Sequence, residues 1–256
     1  TVTGGGADDA AAAAIKGDAN ITAGGGVNVS NPDGIAVDGN LTIDSSTGVT
    51  VVGNTRRNAI RFGANITSSG AVNISNSRGI AVGGKLTVKN ASGTGDVTVT
   101  GTGNATLNNG ADITSRGAVS ITNSSGPAIF GGLNVEQSGG ITVTGRQASA
   151  PIITGSSTIK NTEKVEIINN DTSGKTAQNI TYTPPAGKGY FYQTTQNGRK
   201  LHTRSAISST TPYLCIEPEN LYTLTLSDDV TATTGGTKHT KFYAGESVTV
   251  TAPADP

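Results

Sequence analysis

Charged side chains recur in this 256-residue chain at intervals that could line them up. Asp44, Lys89 and Glu136 occupy matching points of a repeated pattern, and Thr22, Thr67, Thr114 and Lys160 occupy that point in the copies between. Asp112 falls beside them. Two carboxyl groups about 5–9 Å apart would suit glycoside hydrolysis, and clustered acids on one face would suit polysaccharide lysis. Same-row residues two strands apart in a sheet are separated by roughly 9.6 Å. Asp44 and Glu136 flanking Lys89 at that distance read as charge alternation on a solvated ladder.

Other potential chemistry is sparse. Asp8-Asp9 and Asp228-Asp229 lack the spaced carboxylates of a calcium loop. His202 and His239 stand alone in the sequence, so no metal site is expected. Cys215, in the apolar run Tyr213-Leu214-Cys215-Ile216, reads as a buried small hydrophobe without an adjacent base. The glycine runs at Gly4 and Gly24 precede no helix, so phosphate cradling is not supported, and no nucleophile elbow is present. No catalytic residue and no cofactor is expected.

A regular array of hydroxyls and amides is the better binding candidate. Alternate residues read Asn28 and Ser30, Thr50 and Val52, Asn73 and Ser75, Thr98 and Thr100, Ser120 and Thr122, Thr142 and Thr144. Repeated hydrogen bonds to a polysaccharide would use Asn28, Thr50, Asn73, Thr98, Thr100, Ser120, Thr122, Thr142 and Thr144. The array lacks an aromatic platform, since no Trp or Tyr precedes Tyr182.

These residues need an element that repeats. The segment Asn65 to Asn90 has an earlier copy, Asn20 to Asp44, a later copy, Asp112 to Glu136, and a degenerate copy starting at Thr158. Ile21, Ile43, Ile66, Val88, Ile113, Val135 and Ile159 form one aliphatic row, with steps of 22 to 25 residues. A second row, six residues earlier, runs Ile15, Val37, Ile60, Val82, Leu107, Ile129 and Ile153. A third runs Val27, Val49, Val72, Val97, Val119, Ile141 and Val165, followed two residues on by Val29, Val51, Ile74, Val99, Ile121, Val143 and Ile167. Period-two alternation with β-branched residues and dense glycine specifies strands and excludes helix. The expected fold is all-β: a parallel β-helix of about seven rungs, roughly 35 Å long at strand spacing.

Glycines at 17, 39, 84, 131 and 155 mark one corner, with Phe62 and Asn109 interrupting the column just before Gly63 and Gly110. Asn31, Asn76, Asn123 and Asn169 mark a second corner in alternate rungs, and Gly53, Gly101 and Gly145 fill it in the others. The true unit is therefore two rungs. The pattern fades after Thr181, and Pro184-Pro185 reads as the end of the stack. The expected organisation is a β-helix over 1–183, a capping hairpin and linker over 184–219 turning at Asn197-Gly198, and a partial β repeat over 220–256. Within this, Ser208 to Thr211 reads as loop, and Tyr222 to Leu226 and Ser247 to Thr251 as strands. The hairpin is expected to cover the open end of the solenoid.

Composition narrows the partners. The chain has 36 Gly, no Met, no Trp and a formal net charge of zero. Too little bulk is present for a thick core, but a thin core adding one layer per rung fits. Neutrality argues against nucleic acid or an anionic membrane as the main partner, and Arg56-Arg57 and Arg199-Lys200 read as solvated loop charges. No apolar run approaches the roughly 20 residues that span a bilayer. One cysteine fits a reducing cytosol or a secreted protein without disulfides. The chain opens on the strand-like Thr1-Val2-Thr3 without Met, and is expected to be a segment of a longer protein.

The signatures GIAV, GGKLTV and VTVTG resemble the right-handed, pectin-lyase-like β-helices on large surface proteins of gut bacteria, and the rung length favours that hand. The final stretch, YTLTLSDDVTATTGGTKHTKFYAGESVTVTAP, is similar to the start of an internalin-type extracellular repeat of Gram-positive wall proteins. The Thr-x-Thr rows resemble, in part, ice-binding solenoids. The first two resemblances imply a secreted or wall-attached, extracellular protein and do not imply an enzyme. The expected function is a non-catalytic adhesin or stalk contacting glycans or host and microbial surface proteins. The alternative is a polysaccharide lyase or glycoside hydrolase, its cleft formed near Arg56-Arg57 and Ser92 to Gly95.

Overall fold

The computed structural model describes residues 1–5, 13–45, 47–90, 93–203, 206–224, 231–234, 237–238, 241–244 and 246–251. All regular elements among them are β-strands, and the greater part forms a parallel β-solenoid of about seven turns.

Each aliphatic row becomes one wall of the solenoid. The first sheet stacks Ala19–Ala23, Leu41–Ser45, Ala64–Ser68, Leu86–Asn90, Ala111–Ser115, Leu133–Gln137 and Ser157–Lys160, and closes on Lys175–Thr183. Its central residues pair in the expected order from Ile21 to Ile159, with Tyr182 above Ile159. The second wall is narrower, and its row from Ile15 to Ile153 is held by short strands and single bridges. The third sheet stacks Val27–Asn31, Val49–Gly53, Val72–Asn76, Val97–Gly101, Ala118–Asn123, Gly140–Gly145 and Val165–Asn169 in register. Inward members of all three rows are buried from Val27 onward, whereas Ile15 and Ile21 in the first rung are half-buried. One rung cannot bury its own inward face; its neighbours do so.

Two corners explain the repeat. At the glycine corner, Gly131 has φ +106, and a Cβ on Gly39 would lie 2.2 Å from the Gly17 carbonyl oxygen of the adjacent rung. A backbone bending this tightly excludes side chains. At the other corner, Asn76 Nδ2 donates to the carbonyls of Ile80, at 2.8 Å in its own rung, and Arg57, at 3.0 Å in the preceding rung. Its Oδ1 accepts from the amides of Arg78 and Thr55, again one from each rung. Asn169 repeats this with Lys175, Gln147 and Asp171. One asparagine thus serves two rungs, and the intervening rung has no room for another side chain. A Cβ on Gly53 would sit 2.6 Å from the Ala59 Cβ. The alternation is this shared hydrogen bonding. A further buried row, Ser45, Ser68, Asn90 and Ser115, escaped the sequence reading. Ser45 and Ser115 hydroxyls and the Asn90 amide bond carbonyls of the turn into the third sheet.

The C-terminal end differs from expectation in three ways. The strand that pairs with the last rung is Tyr213–Asn220, antiparallel to Val165–Asn169, and not the hairpin. The hairpin strands Lys188–Gln193 and Leu201–His202 lie farther out on the same sheet. Leu214 and Ile216 decide this, because they pair with Ile167 and Val165 and are buried. Next, the start of the stretch read as loop, Ser208 and Ser209, belongs to the strand Ile207–Ser209, which pairs with Lys175–Thr183 and buries Ile207. Finally, the hairpin turns through a longer loop than two residues, since Tyr192 pairs with Leu201. Asn197 has φ +52, and the Gly198 amide bonds the Thr195 carbonyl, so the local turn is real but displaced from the strand ends. Beyond it, Tyr222–Thr223 pairs with Lys241–Phe242, and Thr231–Thr234 with Thr237–Lys238 and Thr249–Thr251. Thr225 and Leu226 lie outside the described residues.

Replacing Asn76 with Ala strips buried backbone groups in two rungs of their partners, each loss costing about 1–3 kcal/mol before relaxation. Urea unfolding should show a loss of roughly 2–4 kcal/mol with relaxation included; an unchanged midpoint would refute the two-rung role. Ending the chain at Thr183 removes both antiparallel strands from the last rung. The truncated protein should self-associate in light scattering, and a monomer of undiminished melting temperature would contradict the capping role.

Candidate functional site

The nine sequence-selected residues do share one face. Asn28, Thr50, Asn73, Thr98, Ser120 and Thr142 pair consecutively across the third sheet. Thr100, Thr122 and Thr144 form the parallel row that Ser30, Val52 and Ser75 begin. Asn28 and Asn73 are exposed, and the rest are half-buried. The rows stand about 4.8 Å apart from rung to rung, offering ordered hydroxyls and amides. The first row ends at Glu166, whose Oε1 accepts from the Tyr213 hydroxyl at 2.9 Å and lies 3.8 Å from Lys164 Nζ.

The charged column sits on the outward face of the first sheet, and it departs from the expected line. Thr22, Asp44, Thr67, Lys89 and Thr114 pair in order. A β-bulge follows: Ile113 pairs with Val135, but Thr114 pairs with Gln137. Glu136 is the extra residue and leaves the Lys89 column. Its neighbour on the other side is Lys160, as the row spacing expects, with the Nζ 3.0 Å from its Oε1. Equal spacing in sequence hid the shift, because a bulge changes the strand's phase without changing its composition. Asp112 meets Lys85, which reaches from the glycine corner to 2.5 Å, and it also accepts from Asn134 at 2.9 Å. Lys89 has no ionic partner among the described residues.

Two shallow, open hollows lie on this face. A hollow of about 470 Å³ is lined by Thr87, Lys89, Asp112, Asn134, Glu136 and Lys160 among others. A second, of about 350 Å³, adjoins it through Thr87 and Lys89 and extends over Thr42, Asn65 and Lys85. Sequence reasoning missed Lys85, Asn134 and Phe130 and took Phe62 only as a break in the glycine column; the two rings stand 50% and 40% exposed at that corner, outside the lining of either hollow. Their signal was available: each is an aromatic residue directly preceding a corner glycine.

Electrostatics constrain what the groove can do. Partial burial pushes the Asp112 carboxyl up, but hydrogen bonds from Lys85 and Asn134 and the Lys85 charge outweigh it and hold it below 3.8. A general acid needs the opposite shift. The exposed Glu136–Lys160 pair contributes only about 0–1 kcal/mol to stability, so its consequence is local charge balance.

The remaining candidates are placed separately. Burial, then the nearby Glu217 charge, pushes the Cys215 thiol up to about 11, and its Sγ lies 3.6 Å from Glu217 Oε1. That environment suppresses the thiolate a nucleophile requires. His202 Nε2 lies 2.7 Å from Glu219 Oε2, and its ring stacks on Tyr243 at 4.3 Å. Arg56 is exposed, while Arg57 joins Ile35, Asn58 and Arg61 around a hollow of about 260 Å³. Lys200 Nζ lies 3.9 Å from the Phe191 ring centre. Among the described residues, no three His, Cys, Asp or Glu groups gather to hold a metal, and no helix is long and apolar enough to cross a membrane. Asp8-Asp9, Asp228-Asp229, His239 and Ser92 lie outside the described residues.

Removing Lys85 should let the Asp112 carboxyl titrate closer to 3.8, visible as an upward pKa shift in carboxyl-carbon NMR of Lys85→Ala. Because the folded value is depressed, the stability that Asp112 contributes is present above the unfolded pKa and is lost as pH falls through the folded value. An unmoved titration would show that Lys85 does not hold the charge. Comparison with known proteins adds no relative: no family model, no curated protein and no solved structure matches the chain.

Proposed function

We propose that this chain is a non-catalytic module of an extracellular protein, secreted or attached to the cell wall, acting as an adhesin or stalk that contacts glycans or host and microbial surface proteins. The observation that carries this reading is the unbroken register of outward hydroxyl and amide rows along the solenoid. A stiff rod repeating one hydrogen-bonding geometry suits a ligand that also repeats. The resemblance of the rungs to pectin-lyase-like surface solenoids of gut Gram-positive bacteria, and of the last stretch to an internalin-type repeat, agrees with an extracellular setting.

A second reading, a polysaccharide lyase or glycoside hydrolase, draws on the groove that holds Asp112 and Glu136 together. Its weakness is electrostatic. Each carboxylate is ion-paired, and Asp112 is held in its charged form. Hydrolysis requires one carboxylic acid kept protonated to assist the leaving group.

A glycan-array screen of the intact chain, run beside product analysis on the same polysaccharides, tests both readings. Binding without new reducing ends or unsaturated products is expected. Cleavage would overturn the non-catalytic reading. Silence in both assays would remove glycans as partners and leave protein ligands for an adhesin or stalk.

A further inference from the structure

The flat face and the grooved face offer different chemistry. The groove crosses six neighbouring strands of the first sheet, from Leu41–Ser45 to Ser157–Lys160. Five strand spacings make it roughly 24 Å long, enough for an oligosaccharide rather than a single sugar. Asn65, Thr87, Thr114 and Asn134 supply amides and hydroxyls along it. Such groups match the hydroxyl edges of sugars.

Sugars also have apolar faces. Phe62 and Phe130 stand at the corner bordering the groove, where Gly63 lines one hollow. They flank strands Ala64–Ser68 and Leu133–Gln137, three spacings or roughly 14 Å apart. Between them the corner carries Gly83, Gly84 and Gly110. An exposed phenyl ring costs solubility and adds nothing to the solenoid's core, whereas rings beside polar grooves serve ligands with one apolar face.

Charge then selects among sugars. The groove contains Lys85, Lys89 and Lys160 against Asp112 and Glu136, three positive charges to two negative. Two lysines are satisfied by those carboxylates. The surplus charge rests on Lys89, at the junction of the two hollows. Lys89 is left unmatched because its column neighbours, Thr67 and Thr114, are uncharged, and the bulge takes Glu136 further out of that column. Bulges that re-aim a side chain concentrate at functional sites.

We propose that this groove, with its Phe62 and Phe130 rim, is a glycan-binding site whose ligand is an oligosaccharide bearing an anionic substituent, carboxylate or sulfate, seated on Lys89. This rests on the glycan-binding reading above and adds to the rows of the third sheet a separate site, on the first sheet, for acidic glycans. No bond is made or broken; the anion replaces water on an ammonium group whose neighbours are already paired.

The test is calorimetric titration of the intact chain with three hexasaccharides: hyaluronan, carrying carboxylate alone; chondroitin sulfate, carrying sulfate as well; and maltohexaose, carrying neither. Binding of an acidic probe, weakened about tenfold or more in Lys89→Ala, is expected, as a charge-assisted bond implies. Equal binding of both acidic probes assigns the carboxylate, and preference for chondroitin sulfate assigns the sulfate. Phe62→Ala and Phe130→Ala should each weaken binding, while Ser124→Ala and Ser149→Ala, exposed in bends away from both outward faces, should leave it unchanged. Lys89 is exposed, so its variant should keep the parent melting temperature. Acidic-probe binding indifferent to Lys89 would overturn this site while sparing the glycan reading. Binding of maltohexaose alone would overturn the anionic assignment. No binding by any probe would overturn this site, and only the array could then rescue the broader reading.

Discussion

Everything in this molecule depends on like stacking on like at the spacing of hydrogen-bonded strands. A rung of about 23 residues places aliphatic side chains inward from three short strands, and none is long enough to bury its share unaided. Val82 is covered because Ile60 lies on one side and Leu107 on the other. The same translation that builds the core fixes the outer surface. Once Val49, Val72 and Val97 are aligned, Thr50, Asn73 and Thr98 have no choice but to align as well. The flat outward rows and the groove are therefore products of core packing and not separate inventions.

Departures from that translation are few, and they coincide with the most distinctive chemistry. The bulge at Glu136 breaks a column of charge, shifting Glu136 out of line with Lys89 and Thr114 while it keeps its regular neighbour Lys160. Corner glycines let rungs approach closely, and the two phenylalanines that stand among them project toward solvent. Such local irregularities are what distinguish one side of a repetitive rod from another. A uniform rod would offer a ligand no preferred position along its length.

The rows of the solenoid were fully legible in the sequence. From Ile21 to Ile159, each expected neighbour is the observed one, because period-two alternation and a constant rung length specify strand and register together. The alternating asparagine was visible as a pattern, but its cause was not, since hydrogen bonds across adjacent rungs depend on which carbonyls the corner brings near. Glu136 was misplaced because a bulge leaves hydrophobic spacing nearly intact. Tyr213–Asn220 was passed over as the closing strand because Pro218 and two glutamates disguise it, and only pairing with Val165 and Ile167 reveals its place. The groove was not legible, as concavity arises from how far lysine and asparagine side chains rise above a sheet, and composition does not encode that.

The asparagine that serves two turns has a consequence for how such a rod could change length. Remove a single turn, and either two glycines meet at the corner with no amide to bind their carbonyls, or two asparagines compete for one slot. Remove a pair, and every corner keeps its partner. Viable lengths are thus quantised in double turns, and duplication or loss in the gene should preserve the parity of the stack even where its outer residues drift.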